Sequence, residues 1–344
     1  MKPRLVELLS CPSCQSRLTC TTREERDAEV VSGELLCAGC GASYPIVRGI
    51  PRFVPGAVSD PQRRTADAFG WEWQKFPELD APAEEQFLDW IYPLSKEYFA
   101  GKTVLDAGCG QGRWAEQAAL FGAADVVGAD ISEAVEAAQV KAERLPNMHV
   151  IQADIYHLPF ARPFDFAFSI GVLHHLPDPE AGFDSVVRHV RPGGAIHAWV
   201  YGRENNGWLV HVGNPVRERL SSRLPKPVLY WLSLGVTAAM HPVLKTLYRT
   251  RGSASASGKA AKSRLPYHGY LSWLAQFSLQ HNHHVVFDHM VAPTAFYIRR
   301  EEFEAWFERA GLKNLRISWR NQNSWRGYGE LPEDIGSKPG VPWE

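Results

Sequence analysis

Residues 103–112 read TVLDAGCGQG, an apolar run that stops at Asp106 and turns through Gly108, Gly110 and Gly112 into the helix-like WAEQAALFG. Glycines at such a turn let the backbone approach a ligand closely and leave a helix N-terminus facing it. Two further apolar runs end in the same way. DVVGADIS closes on Asp130, 18 residues after Gly112, and MHVIQADIYHLPF reaches Asp154. FDFAFSIGVLHHLPDP reads as a fourth strand with its loop, and RPGGAIHAWVY as a turn and a fifth strand. Strands alternating with helical stretches predict an α/β fold with a doubly wound parallel sheet, its ligands lying at the carboxyl ends of the strands. A dinucleotide turn would need its third glycine where Arg113 stands, which argues against a hydride-transfer enzyme.

The form D-x-G-x-G-x-G resembles the first motif of class I S-adenosylmethionine-dependent methyltransferases, and the segments that follow agree with that Rossmann-like family in order and spacing. The resemblance implies that S-adenosylmethionine is bound by Asp106, Gly108, Gly110 and Gly112, by Asp130 with Ile131 at the ribose, and by Asp154 with Ile155 at the adenine. Ser169 and Gly171 would lend backbone contacts beside the sulfonium. Arg113 is either a ligand of the methionine carboxylate or a surface helix residue, and Cys109 a small packing residue. His174 and His175 follow the fourth strand, where a proton acceptor would have to stand; relatives also carry histidine there to hold the loop. AFGWEWQKFPELD, residues 68–80, resembles the aromatic leader that relatives fold over the cofactor, with a surface helix packed on the core as the alternative.

A second motif lies near the start. Cys11, Cys14, Cys37 and Cys40 read C-x2-C-x22-C-x2-C, which suits a closed four-thiolate zinc site. Disulfides or an emptied remnant are the alternatives, and Cys20 is left over. Such a Zn2+ is structural, because it has no open position and holds together a domain too small for a core of its own. LVELLSCPSC, the second CxxC and YPIVRGIPRFV resemble the zinc-ribbon family that activates tRNA, rRNA and protein methyltransferases. That family docks as a separate subunit. Here the ribbon is fused, which predicts that no separate activator subunit is needed.

Six cysteines, with no apolar signal run in MKPRLVELLSCP, point to a reducing, cytoplasmic location. The net charge of −1 hides an uneven distribution. Residues 205–287 carry ten Lys or Arg and one acid, Glu218, whereas the ribbon carries seven against six. The basic stretch contains PVLYWLSLGVTAAMHPVL, uncharged over 227–244, read as a helical lid, as a segment lying on an anionic membrane surface, or, least well, as a span. GSASASGKAAKS, 252–263, reads as a flexible hinge or a disordered loop. HVVFDHMV alternates like a strand, bringing His283, His284, Asp288 or His289 over the cofactor; with His281 these histidines also permit a metal reading. REEFEAWFERAGL is a helix and LKNLRISWR a strand of the core, while RNQNSWRGYGE reads as a loop.

The expected organisation is a zinc ribbon (1–56), an aromatic leader (57–100), a cofactor-binding core (101–202), a lid-like insertion (203–287), the end of the core (288–330) and a tail (331–344). The expected function is methyl transfer to an oxygen or nitrogen of a small or lipid-linked acceptor enclosed by the insertion, in the cytoplasm or peripherally at an anionic membrane. The alternative is an rRNA or tRNA base methyltransferase that grips RNA through the ribbon and the basic insertion. The ribbon, with its nearly balanced charge, lacks the basic aromatic stripe that RNA binding calls for.

Overall fold

In the computed structural model of the chain, residues 1–54, 59–76, 82–248, 265 and 267–333 are described. The expected hinge 252–263 and the tail beyond 333 lie outside the described residues, as do Arg249, Arg251, Lys259, Lys262 and Arg264.

A proline opens the first helix, α1 (Pro3–Leu8), where its fixed φ and missing N–H cost nothing. Strands β1 (Leu18–Arg26), β2 (Glu29–Cys37), β3 (Ser43–Val47) and β4 (Ile50–Phe53) follow as an antiparallel meander. This ribbon does not stand apart. Its β4 pairs in parallel with β7 (Met148–Ala153), Arg52 opposite Gln152 and Phe53 opposite Ala153, so the ribbon extends the central sheet at one edge. The chain's first ammonium donates to Val30 O at 2.7 Å, and Lys2 Nζ to Ala142 O and Met148 O at 2.7 and 3.0 Å. Leu5, Leu8, Leu9 and Phe53 share one buried core with Leu105, Val127 and Ile151.

The leader forms α2 (Asp60–Lys75) and α3 (Ala83–Trp90). The core then alternates β5 (Thr103–Ala107), α4 (Arg113–Leu120), β6 (Asp125–Asp130), α5 (Val135–Ala142), β7, β8 (Phe164–Ile170), α6 (Pro179–Val187) and β9 (Val190–Tyr201). Strands β7, β6, β5, β8 and β9 lie side by side in parallel. Chain order reverses between β5 and β8, which opens a crevice beyond their carboxyl ends.

Among the described residues of the insertion, α7 (Asn214–Arg219), α8 (Lys226–Val243), α9 (His268–Leu274) and α10 (Leu279–Val291) follow. The expected strand around HVVFDHMV is instead part of α10. Ser278 caps that helix by accepting from His281 N–H at 3.1 Å, and Phe287 and Val291, four apart, bury one stripe. The helix runs through 279–291, so residues 288–291 continue the insertion rather than begin the core. Ala68 and Phe76 of the leader bury with Leu229, Phe287 and Val291, which joins leader to lid.

After α11 (Arg300–Arg309) and β10 (Lys313–Arg320), the expected loop RNQNSWRGYGE contains β11 (Ser324–Glu330), antiparallel between β9 and β10. Two glycines hid it. A Cβ at Gly327 would stand 2.6 Å from Phe307 Cζ, and one at Gly329 2.9 Å from Phe307 Cδ1, so glycine there admits α11 onto the sheet.

Candidate functional site

The four sulfurs of Cys11, Cys14, Cys37 and Cys40 lie within 4.8 Å of one another, the only such metal-competent group among the described residues. Cys11–Cys40 and Cys14–Cys37 are 3.7 and 3.4 Å apart. A tetrahedral zinc with bonds of about 2.3 Å sets its sulfurs about 3.8 Å apart, so the thiols fit Zn2+. A Cβ at Gly39 would lie 2.3 Å from Ser16 Oγ, which reserves that knuckle for glycine. The Tyr44 hydroxyl, 3.2 Å from Cys11 Sγ, is placed to donate to the thiolate.

Beyond the carboxyl ends of β5 and β8 lies a cavity of about 930 Å³, which approaches the upper end of small-ligand sites and is roomy enough for a cofactor with an acceptor beside it. One end is built by the glycine turn. Gly108, Gly110 and Gly112 all have positive φ, at 86°, 52° and 75°. A Cβ at Gly108 would meet Val172 Cγ2 at 2.4 Å. Asp130 Oδ2 accepts from Gly110 N–H at 2.9 Å, and its Oδ1 from Ser132 N–H and Oγ–H at 2.8 and 2.7 Å. Asp154 Oδ1 accepts from Tyr156 N–H at 3.1 Å and from Gln62 Nε2 of α2 at 3.2 Å. Asp106 lies just beneath, almost wholly buried, with no side-chain partner and only the backbone N–H of Ala115 acting on its carboxylate. Burial and the neighbouring Asp130 push its carboxyl well above the usual range. A buried carboxylate under a glycine cradle, with no side-chain partner of its own, has room for a cationic or donor group from a ligand, and the ammonium of a bound amino acid is such a group.

Of the residues expected at the cofactor, Gly108, Gly110, Arg113, Asp130, Ile131, Asp154 and Ile155 line this cavity. Gly171 lines it as well, Gly112 starts α4 behind it, and Ser169, expected to offer a backbone contact, is not among the lining residues and donates its Oγ–H to Ala107 O at 2.8 Å. Arg113 is partly buried, and desolvation lowers its guanidinium to about 10. Helix α2 lies across the opening: Trp73 stands over Gly110, and Phe69 meets the His175 ring edge-on at 5.0 Å.

The two histidines after β8 part company. His174 is buried against Tyr201, its ring centroid 4.0 Å away, and neither ring nitrogen makes a hydrogen bond. His175 lines the cavity, but its Nδ1 donates to Thr294 O at 2.6 Å and desolvation lowers the ring to about 3. That bond ties the loop to the segment leaving the insertion, as does Phe296 N–H to His174 O at 2.7 Å.

The other end of the cavity is lined by Tyr201, Arg217, Tyr270, His284, Asp288, His289 and Tyr297. The Tyr201 hydroxyl donates to Asp288 Oδ2 at 3.2 Å, and desolvation with the nearby Glu72 raises the Asp288 carboxyl to about 7. His284 Nε2 lies 2.9 Å from Glu72 Oε1. Burial drives both to their uncharged forms, His284 falling to about 4 and Glu72 rising well above the carboxylate range. Tyr270 and His289 are bonded at 3.1 Å. The four histidines of α10 do not converge on a metal, since His281 stacks on Phe277, His283 meets Ser233 and Tyr230 O, and the other two meet Glu72 and Tyr270. Glu72, Tyr201 and Arg217 were missed in the sequence. The one available signal was an acid set between two tryptophans in GWEWQKF, where an amphipathic helix would turn it inward.

A family model described as a methyltransferase domain matches residues 104–194, and one described as Trm112p-like protein matches residues 2–49. The ubiquinone biosynthesis O-methyltransferase of Photorhabdus laumondii is 31% identical over 169 residues, 46% of this chain and 68% of that protein. Its counterpart in Erwinia tasmaniensis is 33% identical over 129 residues, 36% of this chain and 52% of that protein. Across the curated relatives it matches, the chain spans 38% to 68% of their length. Among solved structures, the complex between the Haloferax volcanii Trm112 methyltransferase activator and a methyltransferase aligns at 15% identity and a TM-score of 0.44, over 79% of this chain and 97% of that one.

Proposed function

Because the chain belongs to the class I S-adenosylmethionine-dependent methyltransferases, here carrying a Trm112-like zinc ribbon, we propose that it methylates an oxygen of a small or lipid-linked acceptor held under the insertion. The observation that carries this reading is the continuity of one cavity from the glycine turn and Asp130 to Tyr201 and Asp288. S-adenosylmethionine bound at the turn supplies a methyl group on a sulfonium, whose departure as a neutral thioether needs no acid. The chain then has to align the acceptor, exclude water and take up a proton. Helices α2, α8 and α10 close the space over the strand ends. Asp288 suits the proton step better than His175, because a carboxylate near 7 balances availability against basicity, whereas a ring near 3 is a weak base. His174, enclosed by Tyr201, is a loop-packing residue in this reading.

Calorimetry tests the cofactor half. The full chain should bind S-adenosylmethionine and S-adenosylhomocysteine, and Asp130→Ala should weaken both by about tenfold to a hundredfold, the worth of a charged hydrogen-bond acceptor. Normal affinity in that variant would overturn the ribose role of Asp130.

One further observation favours a peripheral membrane location. The outer face of α8 presents Val228, Trp231, Leu232 and Val243 and no charge, and Leu247 is exposed in the turn that follows. By length and composition alone Lys226–Tyr248 could cross a bilayer. Its other face is committed, with Ser233 Oγ 2.9 Å from His283 Nε2 and Leu229 and Thr237 buried, which favours a helix lying on the surface. The thiol cluster favours a reducing compartment, so the proposed site is the cytoplasmic face. The RNA reading would rest on Arg219 and Arg223, which are exposed; of the other described cations in the insertion, Arg217 is buried and Lys245 donates to two carbonyls. Flotation with vesicles containing a quarter phosphatidylglycerol should recover the protein, and Trp231→Ser with Leu232→Ser should release it. Retention on total RNA with a steep salt dependence, and none on vesicles, would reverse the preference.

A further inference from the structure

Arg217 sits in the short helix α7, 4% exposed, and lines the acceptor end of the cavity with Tyr201, Asp288, His289 and Tyr297. One terminal nitrogen donates to Asn214 Oδ1 at 2.7 Å and to Ala295 O at 3.4 Å. The Nε–H has no partner, and among the described residues no carboxylate reaches ion-pair distance of the group. Arg320, at the same end, is different, because Asp89 Oδ2 neutralises it at 2.5 Å.

A guanidinium buried without a counter-ion is costly, and it is tolerated where a ligand supplies the missing charge. The Tyr297 hydroxyl bonds the group and the Asp288 carboxyl feels its charge, but neither is a carboxylate at ion-pair distance. Asp288 is held by the Tyr201 hydroxyl, and the imidazoles of His174, His175 and His289 are neutral beside a fixed cation. Asn214 and Ala295 O hold one terminal nitrogen and the Tyr297 hydroxyl also bonds the guanidinium, which fixes its plane and leaves Nε–H as the unpartnered donor. That is the geometry in which arginine takes a carboxylate or a phosphate rather than a neutral hydroxyl.

We propose that Arg217 anchors an anionic group, a carboxylate or a phosphate, on the acceptor. This rests on the methyltransferase reading, and it names the class of acceptor: a molecule bearing an acid at one end and a hydroxyl within reach of the methyl donor at the other. Tyr201 and Tyr297, their rings stacked at 5.6 Å, make an aromatic body between the two ends a good fit.

Calorimetry on the full chain saturated with S-adenosylhomocysteine tests it, with benzoate, phenyl phosphate and uncharged benzyl alcohol as probes. At least one anion should bind tenfold or more tighter than the alcohol, and the better of the two identifies the acid. Arg217→Met should remove that preference, and Arg217→Lys should keep part of it, while the affinity for S-adenosylhomocysteine stays within twofold. Equal binding of anion and alcohol, no binding of either anion at millimolar concentration, or an anion preference that survives Arg217→Met would overturn the proposal. If Arg217→Met fails to fold, the wild-type ratio and the lysine variant decide. Failure of S-adenosylhomocysteine itself to bind would instead sink the methyltransferase reading.

Discussion

Replacing Cys37 and Cys40 with serine is expected to abolish folding of the whole chain, not merely to loosen its first fifty residues. Each pair contributes half of a four-thiolate set whose sulfurs already stand at zinc distances. Structural zinc in such sites is worth on the order of 10 kcal/mol or more, comparable to the entire stability of a domain. The loss spreads because the ribbon is part of the sheet. Strand β4 covers the edge of β7, Lys2 ties down the ends of α5 and the start of β7, and Arg48 and Arg52 both clasp Glu136 of α5. Metal analysis with near-ultraviolet circular dichroism checks this. A zinc-free variant with an ordinary melting transition would show that the ribbon is an appendage.

The second large effect is expected at Asp288. Asp288→Asn should lower kcat by about a hundredfold to ten-thousandfold, the range for a general base, with affinity for S-adenosylhomocysteine within twofold. A suitable surrogate acceptor is 3,4-dihydroxybenzoate. The wild-type rate should climb with pH through about 7, since the base has to be ionised, and that limb should vanish in the variant. Tyr201→Phe should move the limb upward, because the tyrosine hydroxyl helps hold the carboxylate in its charged form. The same group sets a stability trend. A carboxyl whose folded value is raised contributes stability below its unfolded value, near 3.8, and loses it as pH rises through about 7. Without ligand, the asparagine variant should therefore gain on the wild type in melting temperature between pH 4 and pH 8. An unchanged rate and profile in Asp288→Asn would remove it from the proton step.

How far the site was legible depended on how local each part is. The glycine turn and its flanking strands were readable because neighbouring residues form the whole feature, and backbone sterics permit few alternatives to a run of positive φ. The same holds for CPSC and CAGC. HVVFDHMV misled because alternation and helical spacing coincide over so short a run, and the cap at Ser278, three residues before His281, was the better signal. SWRGYGE misled because glycine reads as a turn, whereas here it makes room for Phe303 and Phe307.

The amino-acid sequence alone determined the glycine turn that builds one end of the cavity, the alternation of core strands and helices and the four thiols, since each follows from a short segment and its own turn geometry. Only the tertiary structure decided the opposite end, where the proposed acceptor would lie. Glu72, Tyr201, Arg217 and Asp288 come from four separate segments, and no spacing in the chain announces that they meet. Their protonation states were also beyond reading in one dimension, because burial sets them. Packing likewise decided that the ribbon continues the sheet at its edge, since the strand it pairs with lies almost a hundred residues downstream.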